Sequence, residues 1–385
     1  MSSCRVVIVT RRFWPLVGGP ERVLANLAVE LSARGWPTTV LTARWQPRWP
    51  AEIVLRGVPV IRLSPPAERG WGSLRRLRPL VGWLRANRQR YDLVYVSQLQ
   101  EEAYATMRAV GGQTPVVLRA ERSGRGGDCQ WQRDAFCGGR IATQCRRAAA
   151  VIAPSPEIER ELLEAGYSPA LVRVIPNGVP DVPPRTPQTR RAARALLAEA
   201  NQELQLPDTA PLAVYLGRLE PNCGLEWLLD VWTTILRRWP NARLWLIGEG
   251  SLRRALRRQI ETRSLAGHVL VVGTFDEVDA VLATADVFLR PTSEPDSGVA
   301  LCEAFAAGLP VVASDIAGHR EYIEKEQNGL LAPTFPAAWA TAVGRLLEDP
   351  EFAARLGQAG RRKAAEHSLA TMVGMHVTLF QELRP

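Results

Sequence analysis

The sequence predicts two doubly wound α/β lobes, each a parallel sheet with helices on both faces. Three observations predict it. Short runs rich in Val, Ile and Leu alternate with amphipathic stretches from end to end. A proline-dense segment, VPDVPPRTP, interrupts that rhythm after Pro176-Asn177-Gly178. A length of 385 residues gives each half enough chain for its own core.

In the first half the strand-like runs are RVVIVT, TTVLTA, PVIRL, DLVYVS, PVVLRA, AAVIAPS and VRVIPN. Helical patterns lie between them, at Glu21 to Arg34, Leu74 to Arg90 and Glu157 to Ala165. After the proline-dense segment the alternation restarts at Pro211, with PLAVYLGR, ARLWLIG, HVLVVGT, ADVFLRP and PVVASD as strands. The accompanying helices are expected near Leu225 to Trp239, Leu252 to Ser264, Val278 to Ala283, Val299 to Ala307 and Ala337 to Leu347. Runs that are apolar on both faces belong to sheets covered on both sides. The linker is expected near 178–187. Ligands of such sheets bind beyond the carboxyl ends of the strands, so two facing lobes would share a central cleft.

Composition narrows the function classes. With 46% hydrophobic and 23% charged residues the chain reads as globular. No apolar run approaches the roughly 20 residues that span a bilayer. The opening MSSCRVVIVTRR reads as a first strand, Arg5 to Thr10, and not as a signal peptide. The net charge is +9, carried almost wholly by arginine, since lysine occurs only as Lys325 and Lys363. Such a field suits an anionic donor, an anionic membrane surface or nucleic acid. No zinc-finger, RRM or KH signature supports nucleic acid, which is not expected as a partner. Cys129, Cys137 and Cys145 are evenly spaced but lack C-x-x-C pairs, so reduced thiols in a cytoplasmic protein are expected, with no metal.

Three motifs carry chemistry. GGPER, Gly18 to Arg22, lies between the first strand and its helix. Its glycines permit close backbone approach, and the helix start offers amides and a positive dipole end. The same pair also makes an ordinary tight turn. In YLGRLEPNCGLEWLLD a strand ends at Gly217 and projects Arg218 into a loop, where it could pair with a diphosphate or simply decorate a turn. In RPTSEPDSGVALCEAFAAGLPVVASD a strand ends at Arg290. A loop with Glu294, Asp296, Ser297 and Gly298 then leads into a helix carrying Glu303. A carboxylate one turn inside that helix can accept hydrogen bonds from two vicinal hydroxyls, as on a ribose. Acidic residues there could equally complement the helix dipole.

Taken together and in order, these segments resemble the family-four group of retaining nucleotide-sugar glycosyltransferases, the group 1 glycosyltransferases, which have the two-Rossmann GT-B fold. FWPLVGGPERVLANLAVELSARGWPTTVLTAR, VIAPSPEIERELLEAGY, RVIPNGV, VYLGRL, LWLIGEG, VVGTF, PTSEPDSGVALCEAFAAGLPVVASDIAGHREYI and QNGLL all take part, over essentially the whole chain. The resemblance implies an acceptor-side lobe over 1–178, joined by a C-terminal helix within 368–385, and a nucleotide-sugar-binding lobe over 179–367. It implies that Gly18 and Gly19 abut the donor phosphate or sugar and that Arg218 holds the diphosphate. Glu303 would bind the ribose. Glu294 and the loop Asp296, Ser297, Gly298 would face the transferred sugar. Gly298, Val299 and Ala300 would offer helix-start amides to the phosphates.

Three departures stand out. The family usually has a lysine just before a glycine shortly after the arginine, where this chain has Cys223-Gly224. Arg122, Arg125, Arg290 and Arg320, at or near strand-end loops, are candidates to replace that cation. The paired glutamates usually flank seven residues, and here Glu294 and Glu303 flank eight, which leaves Asp296 as an alternative to Glu294. Many members carry a histidine after the strand matching DLVYVS, where this chain reads Ser97-Gln98.

The expected activity is transfer of a sugar from a nucleotide diphosphate-sugar to an unidentified acceptor, a lipid-linked one included, with retention and without a metal. The sequence lacks a D-x-D metal motif. The alternatives are a nucleotide-sugar epimerase on the same fold and a non-catalytic nucleotide-sugar-binding subunit. The stretch Leu74 to Arg90 groups Leu74, Leu77, Leu80, Val81 and Leu84 on one face with arginines elsewhere and Trp71 and Trp83 nearby. It reads as a lobe helix, with peripheral contact at the inner face of a membrane as the alternative.

Overall fold

A computed structural model describes residues 4–16, 18–63, 77–124, 126–294 and 297–384. The chain divides into two compact units. The first comprises residues 1–16, 20–178 and 369–385, and the second comprises residues 17–19 and 179–368.

The first unit is built on eight strands: β1 Val6–Val9, β2 Thr38–Ala43, β3 Glu52–Leu55, β4 Val58–Leu63, β5 Leu93–Ser97, β6 Val116–Arg119, β7 Ala150–Ala153 and β8 Val172–Val174. They lie in the order β3-β4-β2-β1-β5-β6-β7-β8. Every pair is parallel except β3 with β4. That exception corrects the all-parallel expectation. EIVLRGVPVIRL folds as a hairpin because Arg56 (φ 46°) and Gly57 (φ 83°) adopt the left-handed turn that suits strand twist. The inner strands are buried along their length, VVIV at β1 and AVIA at β7, so both faces need a helical cover.

One cover is the helix Arg78–Ala86. Leu77, Leu80 and Leu84 enter the apolar cluster with Val94, Val96 and Leu118, while Arg78 and Arg85 are exposed. Removing the Leu84 side chain should cost about 2–5 kcal/mol. The leucine stripe is therefore committed to the sheet. Trp71, Leu74, Arg75 and Arg76 lie outside the described residues. Among the described residues no helix is long and apolar enough to cross a membrane.

The C-terminal helix Leu369–Glu382 belongs to this first unit. Phe380 meets Trp36 at 5.9 Å between ring centroids, and His376 meets Tyr95 at 5.6 Å. His376 Nδ1 lies 2.8 Å from the Met372 carbonyl oxygen, which makes it the protonated nitrogen.

The second unit is a wholly parallel six-stranded sheet in the order β11-β10-β9-β12-β13-β14. Its strands are β9 Leu212–Leu216, β10 Arg243–Ile247, β11 Val269–Val272, β12 Val287–Arg290, β13 Val311–Ser314 and β14 Leu330–Ala332. Trp232 and Trp339 are fully enclosed in its core, where Trp227 meets Trp339 edge-on at 5.2 Å.

Among the elements the sequence pattern does not mark, one lies at the linker. Helix Pro187–Ala200 starts directly after the proline-dense segment, so the alternation restarts earlier than Pro211. Thr186 caps it by accepting from Thr189 N at 3.1 Å, and Pro187 supplies a first helical position that needs no N–H. Its arginines then fix it to the sheet. Arg185, Arg190 and Arg194 donate to Asp286 at 2.6, 2.7 and 3.3 Å, and the backbone N of Leu212 donates to the same carboxylate at 2.9 Å. Burial and the like charge of Arg190 bring the Arg194 guanidinium down to about 10. Asp286 thus ties this helix to the base of β9 and β12.

Candidate functional site

The order of the second sheet locates its crevice. From β9 the chain proceeds outward through β10 and β11, then returns to β9's other side with β12 and continues through β13 and β14. The reversal lies between β9 and β12, paired at Ala213 with Val287 and Val214 with Phe288. A ligand of an open α/β sheet binds beyond the strand ends at that switch point. Arg218 follows β9 and the acidic loop follows β12, so these two motifs occupy neighbouring strand ends.

Their geometry is tightly specified. A Cβ on Gly217 would stand 2.6 Å from Arg290 Nη1 and 2.7 Å from the Tyr215 hydroxyl. Glycine there lets both groups fold over the strand end. Arg290 Nη1 donates to the Leu216 carbonyl at 3.0 Å, with its guanidinium 5.7 Å from the Tyr215 ring centroid. The Tyr215 hydroxyl donates to the Arg218 carbonyl at 2.7 Å. Arg290 is therefore a buried brace. The Arg218 side chain is exposed, and among the described residues its guanidinium has no carboxylate partner.

The next turn, Pro221–Cys223, is locked to the acidic loop. Ser293 N and the Thr292 hydroxyl donate to the Asn222 carbonyl at 3.2 and 3.3 Å, and Asn222 Nδ2 donates to Glu294 Oε1 at 2.7 Å. The helix Val299–Ala306 starts from Gly298, whose φ of 65° suits glycine. A Cβ there would stand 2.4 Å from the Tyr322 ring. Glu303 sits one turn inside this helix and is 8% exposed. Val299 is buried, and Ser297 and Ala300 are half-buried at the helix start.

The structure thus brings Arg218, Glu294, Gly298 and the helix carrying Val299, Ala300 and Glu303 to one sheet end. Asp296 lies outside the described residues, as does Arg125. Gly18 and Gly19 stand where the helix Gly19–Ala33 begins, and Glu21 of that motif is paired with Arg12 at 3.0 Å. Among the candidate replacement cations, Arg320 pairs with Asp315 at 2.7 Å on the surface, Arg122 lies in the loop after β6, and Arg290 is the brace just described. Cys223 is 8% exposed and belongs to the apolar cluster with Leu219, Leu225 and Leu228, so the turn holds it as a core side chain.

The first sheet has its own switch point, between β1 and β5. A buried polar network at its strand ends was missed in reading the sequence. Arg119 ends β6, and Glu121 follows it by two residues. Both are 2% exposed, and they form an ion pair. Ser97, at the end of β5, donates to Glu121 Oε1 at 2.6 Å, and Arg119 also donates to Asn177 Oδ1. Asp128 accepts from Glu121 N at 2.7 Å and Leu99 N at 2.9 Å. Burial pushes the Asp128 carboxyl up, against those two amides. Burial alone would lower the Arg119 guanidinium, but the charge of Glu121 holds it above its usual value. The signal was present: an arginine inside the apolar run PVVLRA, with a carboxylate directly after it. Nearby, burial pushes the Cys129 and Cys145 thiols up to about 12, as fits packing residues.

Two family models match this chain, one described as Glycosyltransferase Family 4 over residues 17–181 and one as Glycosyl transferases group 1 over residues 210–349. The chain is 26% identical over 180 residues to alpha-D-kanosaminyltransferase of Streptomyces kanamyceticus, covering 46% of this chain and 47% of that one. It is 34% identical over 167 residues to the GDP-mannose-dependent alpha-(1-6)-phosphatidylinositol monomannoside mannosyltransferase of Mycolicibacterium smegmatis, covering 41% and 44%. The chain thus spans about half the length of these curated relatives. In fold it is similar to Anabaena HepE, solved in complex with UDP and glucose, with a TM-score of 0.78, 21% identity and coverage of 98% and 99%. The two Rossmann-like sheets are those of the GT-B fold.

Proposed function

The chain belongs to the group 1 glycosyltransferases, and on that premise we propose that it moves a hexose from a nucleotide diphosphate-sugar to a hydroxyl acceptor with retention of configuration. One observation carries the reading. Arg218 and the acidic loop follow adjacent strands at the switch point of the second sheet, and the turn after Arg218 is tied to that loop: Asn222 accepts from Ser293 N and the Thr292 hydroxyl and donates to Glu294.

In this reading Arg218 pairs with the donor diphosphate as negative charge develops on the leaving group. The helix-start amides of Gly298, Val299 and Ala300 add to it. The reading calls for no metal to do this. Glu303 accepts from both ribose hydroxyls. Glu294, held by Asn222, and Ser297 face the transferred sugar, and Gly18 and Gly19 approach the donor by backbone.

The first donors to try are UDP-glucose and GDP-mannose, the second from the name of the mycobacterial relative and the first from the UDP and glucose bound by HepE. A donor at 100 times its Kd should stabilise the protein by about 2.7 kcal/mol in a thermal-shift screen. Labelled donor then separates the readings: sugar on an acceptor supports transfer, an epimerised donor replaces it with epimerisation, and bound but unchanged donor makes the chain a binding subunit. A screen in which no nucleotide sugar raises the Tm would sink all three.

A further inference from the structure

We infer that Tyr215 is a positioning residue for Arg218, its hydroxyl holding the Arg218 carbonyl so that the cationic side chain starts from a fixed backbone. This rests on the glycosyltransferase reading, in which Arg218 meets the donor diphosphate, and adds to it the residue that sets where that cation stands.

Tyr215 does two separable things. Its ring is fully buried in the apolar cluster of the second unit, with Leu219, Leu225 and Leu244. A phenylalanine would fill that place as well and would bring no polar atom to satisfy. Its hydroxyl donates to the Arg218 carbonyl at 2.7 Å, three residues along its own chain. Tyr91 and Tyr167 show the other use of a buried tyrosine. Tyr91 donates to the Leu84 carbonyl of the helix Arg78–Ala86, and Tyr167 donates to Gln132 Oε1 of the helix Asp128–Asp134. Those bonds join separate elements. A bond across three residues at one strand end joins nothing that the chain does not already join. What it fixes is the backbone of Arg218.

The rest of the turn is tied in the same way. Gly217 N donates to the Ile247 carbonyl at 3.0 Å, and Leu219 N donates to the Glu249 carbonyl at 2.9 Å. The Leu219 carbonyl accepts from Leu252 N at 2.9 Å, and the Leu216 carbonyl accepts from Arg290 Nη1 at 3.0 Å. The Arg290 guanidinium also lies 5.7 Å from the Tyr215 ring centroid. Gly217 leaves the path of the tyrosine open, since a Cβ there would stand 2.7 Å from its hydroxyl and 3.1 Å from its Cζ. Of residues 215–219 only Arg218 is exposed. A cation that meets developing charge must stand where that charge appears, and a fixed base removes the backbone's share of that search.

The test is a double-mutant cycle on Tyr215→Phe and Arg218→Ala. The four proteins are compared by kcat and KM for nucleoside diphosphate release from UDP-glucose and GDP-mannose in water, and by calorimetry with UDP and GDP. Phenylalanine keeps the ring in the core, and melting curves report what the lost hydroxyl costs in stability.

With Arg218 present, Tyr215→Phe should lower kcat/KM about 3- to 10-fold, what a neutral hydrogen bond is usually worth. Where the donors bind without being turned over, UDP and GDP affinity should fall by the same factor. In the Arg218→Ala background the same substitution should change either quantity by no more than about 1.5-fold, while its effect on Tm stays the same in both backgrounds. A loss that is equal in the two backgrounds makes Tyr215 a core residue only and overturns the inference, as does no loss with Arg218 present. An Arg218→Ala protein that matches wild type overturns the role of Arg218 and the inference with it. A wild type that neither turns over nor binds any of these nucleotides overturns instead the donor reading beneath both.

Discussion

The two sheets present opposite kinds of chemistry at their strand ends. In the second, Arg218 stands exposed, and the loops around it are shaped by glycines and backbone hydrogen bonds. In the first, Arg119, Glu121 and Asp128 are sealed below the surface and bonded to one another. An exposed arginine on a rigid rim can meet an incoming anion while losing little hydration first. A buried ion pair has already lost its hydration and gains most from correct geometry. The second rim is therefore suited to binding charge. The first is suited to holding a group in one orientation.

The comparison is broken most directly at Arg218. Arg218→Ala should lower kcat/KM for transfer by about 10²- to 10³-fold, the usual effect of losing one donor to developing charge. Because the side chain is exposed, its Tm should hold. Steady-state kinetics and a melting curve on one preparation check both. A change in Tm with unaltered kinetics would make Arg218 an ordinary surface residue and remove the contrast.

The buried character of the first unit predicts a pH effect. Burial, partly offset by the hydrogen bond to Met372, brings His376 down to about 4 from its ordinary 6.5. The unfolded chain therefore binds a proton between pH 6.5 and about 4 that the folded chain does not. The resulting stability is fully present above pH 6.5 and is lost as pH falls through that window, by roughly 3 kcal/mol at most. Urea unfolding at pH 7 and pH 4.5 measures it. His376→Leu should flatten the slope, and an equal slope in both proteins would assign the pH dependence to other groups.

A smaller effect sharpens the account of the second rim. Glu303→Gln keeps the shape and the burial but replaces one acceptor oxygen by a donor. Donor affinity should fall about 10- to 100-fold with the fold intact. Calorimetry with the nucleoside diphosphate decides it, and unchanged affinity would remove Glu303 from the ribose.

What the sequence disclosed follows the same division. All strands of both sheets except β3 and β14, and the Gly217-Arg218 and Gly298 turns, were legible, because apolar period and glycine placement are local signals. The helix Pro187–Ala200 was obscured by the prolines before it, although Thr186-Pro187 is a good helix start. Strand β3 was lost because its alternation is short and its faces are half exposed. The Arg119–Glu121–Asp128 network left only one trace in the sequence, the arginine inside PVVLRA with Glu121 after it, for a different reason. Its bonds join the ends of β5 and β6 to a helix start and to Asn177, and only the fold brings those together.

The smallest expected effect lies at Cys223, which stands where the family usually has a lysine. If a second cation is lacking on this rim, Cys223→Lys should tighten nucleoside diphosphate binding. A well-formed charge-assisted contact is worth about 1.5–3 kcal/mol. The structure sets a cost against that gain. Cys223 belongs to the apolar cluster with Leu219, Leu225 and Leu228, so the longer side chain must lay its stem along them and turn its ammonium outward. Overfilling such a place costs about 1–3 kcal/mol. The net expectation is an affinity gain of no more than about tenfold, with a lower Tm and a gain that shrinks with added salt. Calorimetry at low and moderate salt, with melting curves, measures each part. An affinity that stays equal or weakens would mean that another arginine already meets the second phosphate. Arg290, at the adjacent strand end, would be the first to replace, because it donates to the Leu216 carbonyl and lies against Tyr215, whose hydroxyl donates to the Arg218 carbonyl.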